Sequence, residues 1–303
     1  MRVAIAGGTG LIGSALTKRL VESGHQVIIL TRSKVVDSAA NITYLQWDGK
    51  SAGELAQQLE GIDAIVNLAG ASIGGGLWTA KRKVILRESR LQPGKALTDA
   101  VSQMVTKPQV FIQVSGIGIY GDTGETAVKE NTPAGSDFLA KLAVEWENST
   151  RAVESFGVRR VIIRPGIVLA SQGGILNLIS LPFKLFVGGP IGSGKQWWPW
   201  IHIDDLAQAV LHLIVHKGAH GAFNLVSEKP ARMDSFGRSL GKAIKRPYWF
   251  PTPAFLLRTV LGEMSILVLA GQKAVPDKLK ETGFKFQYPD IASALEQIYS
   301  HNR

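Results

Sequence analysis

Cysteine is absent from this chain, which removes disulfides, thiolate metal sites and a cysteine nucleophile from consideration. Histidine is scarce: six residues, scattered, with none in an HExxH or comparable spacing. No metal site is expected. Apolar runs are short, and none approaches the ~20 residues needed to span a bilayer. The first residues enter a β-like run and a glycine-rich turn, without the apolar core and cleavage site of a secretion signal. A cytoplasmic protein with no membrane partner is expected. Internal repeats and low-complexity tracts are missing as well.

Positive charge is in excess, with 34 Lys and Arg against 24 Asp and Glu, a formal net charge of +10. The basic residues are spread along the chain, in groups no larger than Lys81-Arg82-Lys83 or the Lys278/Lys280 pair. Dispersed charge of this kind describes a solvated surface that attracts phosphorylated small molecules, rather than a nucleic-acid-binding stripe. No nucleic-acid partner is expected. At 303 residues and 45% hydrophobic content the chain can bury a large core. Its 33 glycines gather in a few loops, as nucleotide-binding turns require.

Arg2 to Ala6 is an apolar run of strand length, followed by Gly7-Gly8-Thr9-Gly10-Leu11-Ile12-Gly13. From Leu11 the apolar residues recur at 12, 15, 16, 20 and 21, which is helical spacing. In this strand, turn, helix order Gly7 permits a tight turn, Gly10 lets backbone approach a pyrophosphate, and Gly13 lets helix pack on strand. The helix start then offers free N–H groups to phosphates. A second strand, "QVIILT" (26–31), ends at Thr31-Arg32-Ser33-Lys34. A guanidinium and an ammonium there, with no carboxylate, favour a 2′-phosphate and hence NADP(H) over NAD. Strands are expected at 42–47, 63–70, 109–115 and 159–166, with helices over 79–104 and 137–156. Buried strands alternating with helices predict an α/β, Rossmann-type doubly wound parallel sheet. The NADP-binding domain is expected over 1–165, with parts of 166–225 returning to it. A smaller C-terminal α/β substrate lobe is expected over 166–303.

With "GGTGLIG", "NLAG", "VSGIGIYG" and "RPG" in this order, the chain resembles the extended short-chain dehydrogenase/reductase superfamily, which includes nucleotide-sugar epimerases and dehydratases. "LWTAKRKVILRESR" (77–90), "LPFKLFVGGPIGSGKQWWPWIHIDD" (181–205) and "GEMSILVLAGQKAVPDKLKETGFKF" (262–286) are similar to one atypical epimerase-like family that ends in a short C-terminal domain, here 247–303. The resemblance covers essentially the whole chain. It implies cofactor contacts at Gly7, Thr9, Gly10, Leu11, Ile12 and Gly13, at Thr31 and Arg32 for the 2′-phosphate, and at Leu68, Ala69 and Gly70. Arg90, Lys141 and the backbone at Ile167 and Val168 complete the implied NADP(H) set.

The superfamily pairs a serine with Tyr-x-x-x-Lys, the tyrosine acting as general acid or base and the lysine lowering its pKa. Ser115, after the strand "VFIQV", matches the serine, and Lys141 the lysine. Four residues before Lys141 stands Asp137 instead of tyrosine. A carboxylate beside an ammonium is a poor acid near neutral pH. Tyr120 is the nearest phenol in the sequence. The catalytic candidates are therefore Ser115, Tyr120, Asp137 and Lys141, with Asp137 readable equally as a helix N-cap. Lys195, Gln196, Trp197 and Trp198 are the substrate-binding candidates, through polar contacts and ring stacking; core packing is the competing reading of the two tryptophans. His202 reads as a structural hydrogen-bonding residue and Asp204 or Asp205 as an N-cap. The apolar "AFLLRTVLG" and "GEMSILVLAGQ" segments are expected to cover part of the pocket or form a subunit contact, which leaves a homodimer open. Two functions remain: an NADP(H)-dependent epimerase/dehydratase-like oxidoreductase acting on a small polar, sugar-nucleotide-like molecule, or an NADP(H)-binding sensor or regulatory protein without turnover.

Overall fold

A computed structural model describes residues 1–33, 35 and 40–300; Lys34 lies outside the described residues. The chain opens with β1 (Arg2–Ala6), α1 (Leu11–Glu22), β2 (Gln26–Thr31), β3 (Ile42–Gln46), α2 (Leu55–Gln58) and β4 (Ala64–Asn67). The long α3 (Ala80–Gln103), β5 (Val110–Val114), β6 (Ala127–Val128), α4 (Phe138–Asn148), β7 (Arg159–Pro165) and β8 (Ile167–Leu169) follow. Then come α5 (Leu176–Lys184), β9 (Trp197–Trp198), β10 (Trp200–His202), α6 (Ile203–Val215), β11 (Gly221–Leu225), β12 (Ala231–Arg232) and α7 (Met233–Ile244). The C-terminal region holds α8 (Ala254–Leu261), α9 (Ile266–Leu269), β13 (Lys273–Ala274), α10 (Asp277–Glu281) and α11 (Ile291–Ser300).

Seven strands form one sheet in the order β11-β7-β5-β4-β1-β2-β3, every pairing parallel. The reversal of direction of build-up falls beside β1, where α/β sheets of this kind place a ligand at the carboxyl ends of the strands. Period-two alternation within the strands divides the core into two layers. Val3 and Ile5 of β1 face a cluster with Leu16 and Leu20 of α1 and Leu206, Val210 and Leu213 of α6. Ala4 and Ala6 face the other side, with Leu97, Ala100 and Val101 of α3. Small alanines on that side leave room for the long helix. Strands buried on both faces explain why the sequence shows apolar runs rather than alternation.

The strands lie where the sequence pattern places them, with β4 shorter, at 64–67 instead of 63–70. The helix expected over 137–156 is divided: α4 ends at Asn148 and a 3₁₀ segment spans Arg151–Phe156. At the break, the Ser149 hydroxyl donates to the Trp146 carbonyl at 2.7 Å, and a β-carbon at Gly94 of α3 would lie 2.2 Å from that hydroxyl. Side-chain bonding to the preceding turn competes with helix continuation here. The second half returns to the sheet through β11, and a third cluster, including Trp198, Trp200, Phe236, Leu240 and Leu295, forms the core of the smaller lobe.

The start of α6 differs from expectation. Its N-cap is His202, whose Nδ1 accepts from the Asp204 backbone N–H at 3.2 Å, while Nε2 meets Gln297 Oε1 at 3.0 Å. Asp205 instead accepts from the backbone N–H groups of Gln287 and Tyr288, at 2.7 and 2.9 Å, which anchors the C-terminal segment to α6. Burial lowers the His202 pKa below its ordinary 6.5, against the opposing charges of Asp204 and Asp205 and the Gln297 contact. The folded state therefore favours neutral imidazole. Stability from this cap is fully present above the unfolded-chain value and is lost as pH falls through the lower folded value. Between about pH 7 and pH 5, the wild-type thermal midpoint should fall more steeply than that of His202→Asn, which keeps a capping side chain without a titrating proton. Parallel midpoint curves would show that His202 carries no proton linkage.

Candidate functional site

The glycine turn between β1 and α1 is a crossing of backbones at close quarters. Gly7 has φ of +80°, and a β-carbon on it would lie 2.8 Å from the Leu68 carbonyl group beyond β4. A β-carbon at Gly13 would meet Gly7 O at 2.3 Å. Gly10 donates its N–H to Gly7 O at 3.1 Å and caps α1 without a side-chain bond, so the first-turn N–H groups of a 12-residue helix face the strand ends. Thr9 and Gly10 are exposed there, and Leu11 and Ile12 are half-buried. The neighbouring turn after β4 is held rigidly. Buried Asn67 donates to Gln113 Oε1 at 2.9 Å and accepts from the Ala69 N–H at 3.2 Å. The Ala71 N–H donates to Ser89 Oγ at 3.0 Å. Thr31 ends β2 and Arg32 follows it; Thr31 Oγ1 accepts from the Ser33 N–H at 3.3 Å and the Arg32 side chain is exposed.

A cleft of about 810 Å³ opens at the same edge of the sheet. Leu11, Arg90, Ser115, Asp137, Ile167 and Val168 are among its lining residues. Arg90 is buried and has no carboxylate partner among the described residues. Its guanidinium donates to the Leu86 carbonyl at 3.0 Å and lies 4.7 Å from the Trp146 ring centre. Burial, with a smaller contribution from Arg82, pushes its pKa down to about 10, so it remains a cation near neutral pH. A buried cation in this state is costly until an anion reaches it. Gly70 lies against it, where a β-carbon would be 3.4 Å from Arg90 Cγ.

Ser115 lies just beyond β5, its backbone N–H bonded to Ile163 O at 2.8 Å. Its hydroxyl is buried without a hydrogen-bond partner among the described residues, and Ser115 lines the cleft. Asp137 caps α4, accepting from the Ala140 N–H at 2.9 Å, and also lines the cleft. Lys141 is exposed one turn along α4 and lies outside the lining.

Tyr120 is placed differently from Ser115 and Asp137. It lies outside the lining, 4% exposed, and its hydroxyl donates to Asn224 Oδ1 and accepts from Arg164, both at 2.8 Å. Arg164 in turn makes paired bonds to Glu147 at 2.8 and 2.9 Å. Burial works against the Arg164 charge, and the Glu147 carboxylate more than offsets it, holding its pKa above the ordinary value. Burial raises the Tyr120 pKa, despite the opposing Arg164 charge. A phenol so engaged ties β7 to β11 through Arg164 and Asn224. Sequence inspection misses this network because Tyr120, Glu147, Arg164 and Asn224 meet only through the fold; the "RPG" motif contains Arg164 without revealing its partner.

The substrate-binding candidates are also engaged elsewhere. Trp198 is 1% exposed and packs on Phe236, with ring centres 5.5 Å apart. Trp197 lies between Arg232 and Lys273, at 4.2 and 5.0 Å from its ring, and donates to Glu125 at 3.1 Å. Gln196 donates to the Ile191 and Val268 carbonyls, at 3.0 and 2.9 Å, and Lys195 is exposed. All four lie outside the cleft lining. The C-terminal segments do cover it, through Leu257, Leu261, Met264 and Ile266 to Val268. Among the described residues there is no group of three His, Cys, Asp or Glu able to hold a metal ion, and no helix is long and apolar enough to cross a membrane.

A parallel doubly wound sheet with a glycine cradle, a buried lone cation and an adjoining cleft defines a nucleotide-binding α/β protein. The chain belongs to the NAD dependent epimerase/dehydratase family, whose pattern matches residues 3–225, and residues 252–298 match a C-terminal domain of unknown function, DUF1731. It is 38% identical to the epimerase family protein YfhF of Bacillus subtilis over 304 aligned positions, covering 100% of this chain and 99% of the relative. The crystal structure of human epimerase family protein SDR39U1 (isoform 2) with NADPH superposes with a TM-score of 0.90 at 33% identity, covering 99% of both chains. The UDP-glucose 4-epimerase of Thermus thermophilus, in complex with NAD, shares the fold at 17% identity and a TM-score of 0.76, covering 99% of this chain and 98% of that one.

Two substitutions separate binding groups from structural ones. Arg90→Leu should leave the thermal midpoint of the ligand-free protein unchanged or raised, because it removes an unpaired buried charge; a drop of several degrees would identify Arg90 as structural. Asp137→Ala removes an N-cap and should cost about 1 kcal/mol in urea unfolding.

Proposed function

We propose that this protein is an NADP(H)-dependent oxidoreductase of the epimerase/dehydratase type. The observation that carries this reading is the buried Arg90 guanidinium without a counter-charge, beside the glycine cradle. Gly7, Gly10 and Gly13 admit a pyrophosphate to the α1 N-terminus, and Arg90 supplies positive charge at the inner end. Arg32 at the end of β2 selects the 2′-phosphate. NADPH in the human relative and NAD in the Thermus enzyme are consistent with a dinucleotide there. When bound, the nicotinamide accepts or supplies a hydride at C4. The chain's own part is to orient the substrate. The free Ser115 hydroxyl holds its oxygen in the cleft, while backbone at Ile167 and Val168 faces the carboxamide; Lys141, exposed outside the lining, would have to turn inward to reach the ribose.

A second reading, nucleotide binding without turnover, is favoured by the acid–base residues themselves. The position that usually holds tyrosine is the α4 cap Asp137, and the Tyr120 hydroxyl is committed to Asn224 and Arg164. NADPH consumption over a panel of carbonyl compounds distinguishes the two: turnover abolished by Ser115→Ala supports the enzyme, and none in the wild type supports the sensor.

The cofactor assignment has its own test. Fluorescence titration should show NADPH binding more tightly than NADH, with Arg32→Ala erasing most of the difference. Arg90→Leu should weaken both, roughly tenfold or more, as expected for loss of a charged hydrogen bond. Equal NADPH and NADH affinities in the wild type would overturn the 2′-phosphate preference, and binding of neither would overturn the cofactor reading.

A further inference from the structure

Resting on the dinucleotide reading, we infer that the substrate is lipophilic: a molecule with one hydroxyl or carbonyl group on an extended apolar body, rather than a nucleotide sugar. The cleft lining is chemically divided. Its polar part includes the free, buried Ser115 hydroxyl, buried Arg90 and half-buried Asp137. Much of the rest comes from α5 and the 252–268 region, including Leu178, Phe183, Leu257, Leu261, Met264 and Leu267. Arg90 and Asp137 are the only charged side chains in the lining among the described residues.

A nucleoside diphosphate requires cations or several hydrogen-bond donors along its pyrophosphate. The wall from α5 and the 252–268 region offers no charge and, among its lining side chains, only the Thr252 hydroxyl as a donor. The Gln272 amide, elsewhere in the lining, is already donating to the Gly121 carbonyl, and Lys195 and Gln196 lie outside the lining. The one cation, Arg90, sits beside the glycine turns, and Asp137 would repel an anion held between it and Ser115. Burying phosphates against leucine and methionine would leave charge uncompensated. An alkyl or polyisoprenoid body fits the same wall by removing its apolar surface from water.

The approach to the cleft carries the same chemistry. Leu178 of α5 lines the cleft while 66% exposed, and Leu185 and Phe255 are 64% and 71% exposed on α5's end and α8. No residue of α8 is buried, although it is a mostly apolar helix. Leu185 and Phe255 lie outside the lining but on or next to segments that supply it, so these segments offer apolar surface to water as well as to the cleft.

Calorimetric titration of the NADPH-loaded protein with octan-2-one, decan-2-one and UDP-glucose tests the inference. The ketones should bind, decan-2-one roughly tenfold tighter than octan-2-one for its two added methylenes, and UDP-glucose should not compete. Leu257→Gln and Leu261→Gln, both at half-buried positions, should each weaken decan-2-one by about tenfold, while Val105→Gln, on a 91% exposed residue elsewhere, should not. UDP-glucose binding more tightly than decan-2-one, or ketone affinity indifferent to both leucine variants, overturns the inference and leaves the cofactor reading intact. Failure of NADPH to bind instead removes the cofactor reading; the same titrations on cofactor-free protein then still decide what the cleft accepts.

Discussion

The site depends on one steric constraint, the crossing of the β1–α1 turn with itself and with the turn beyond β4. Gly13 passes so close to Gly7 and Gly8 that a side chain would fall 2.3 Å from a carbonyl oxygen, well inside contact distance. Only glycine at these positions allows α1 to begin directly against the end of β1. That contact brings the unpaired N–H groups of the helix start to the carboxyl edge of the sheet. It also fixes Leu68 to Gly70 next to the same spot, and through Ala71 and Ser89 it sets the position of α3. Arg90, one residue further on, is thereby carried into the interior beside Gly70. The anion-binding character of this edge follows from backbone packing more than from any single side chain.

Around this cradle, the residues that could move a proton are differently committed. The Arg164–Glu147 pair is buried on both sides, and Arg164 bonds the Tyr120 hydroxyl and the Glu130 carbonyl as well. A network satisfied to this degree holds β7, α4 and β11 in register and engages the Tyr120 hydroxyl as donor and acceptor. Asp137 stabilises the first turn of α4 while facing the cleft. Ser115 alone among the catalytic candidates is buried in the cleft with an unspent hydroxyl. The described residues therefore offer Ser115, Arg90 and Asp137 to the cleft, and the tyrosine expected four residues before Lys141 is replaced by the α4 cap.

Much of the frame was legible because it rests on local patterns. Apolar runs flanked by turn residues mark β1, β2, β3, β5 and β7 to within a residue or two, since strands buried on both faces must be apolar throughout. The glycine cradle was legible because backbone crossings admit no substitute residue. The N-cap at Asp137 could be read from position, whereas the cap of α6 could not: Asp204 and Asp205 resemble caps, yet His202 fills that role and Asp205 reaches Gln287 and Tyr288 across 82 and 83 residues. The tryptophans of "KQWWPW" illustrate the same limit. Their surface and core readings differ only in which neighbours the fold supplies, and Trp198 finds Phe236 while Trp197 finds Arg232, Lys273 and Glu125.

By itself, then, the sequence determined the parallel α/β frame, the cradle and the cationic end of β2, because each follows from residue type at fixed local spacing. Tertiary structure alone decided which side chains share the cleft. It left Tyr120, Lys141 and residues 195–198 outside the lining, left Arg90 without a counter-charge among the described residues, and brought the 252–268 region into the same cleft as Ser115. Those outcomes depend on contacts between residues tens to hundreds of positions apart, formed by the packing of whole helices, and no local pattern encodes which of several apolar or polar partners a given side chain will meet.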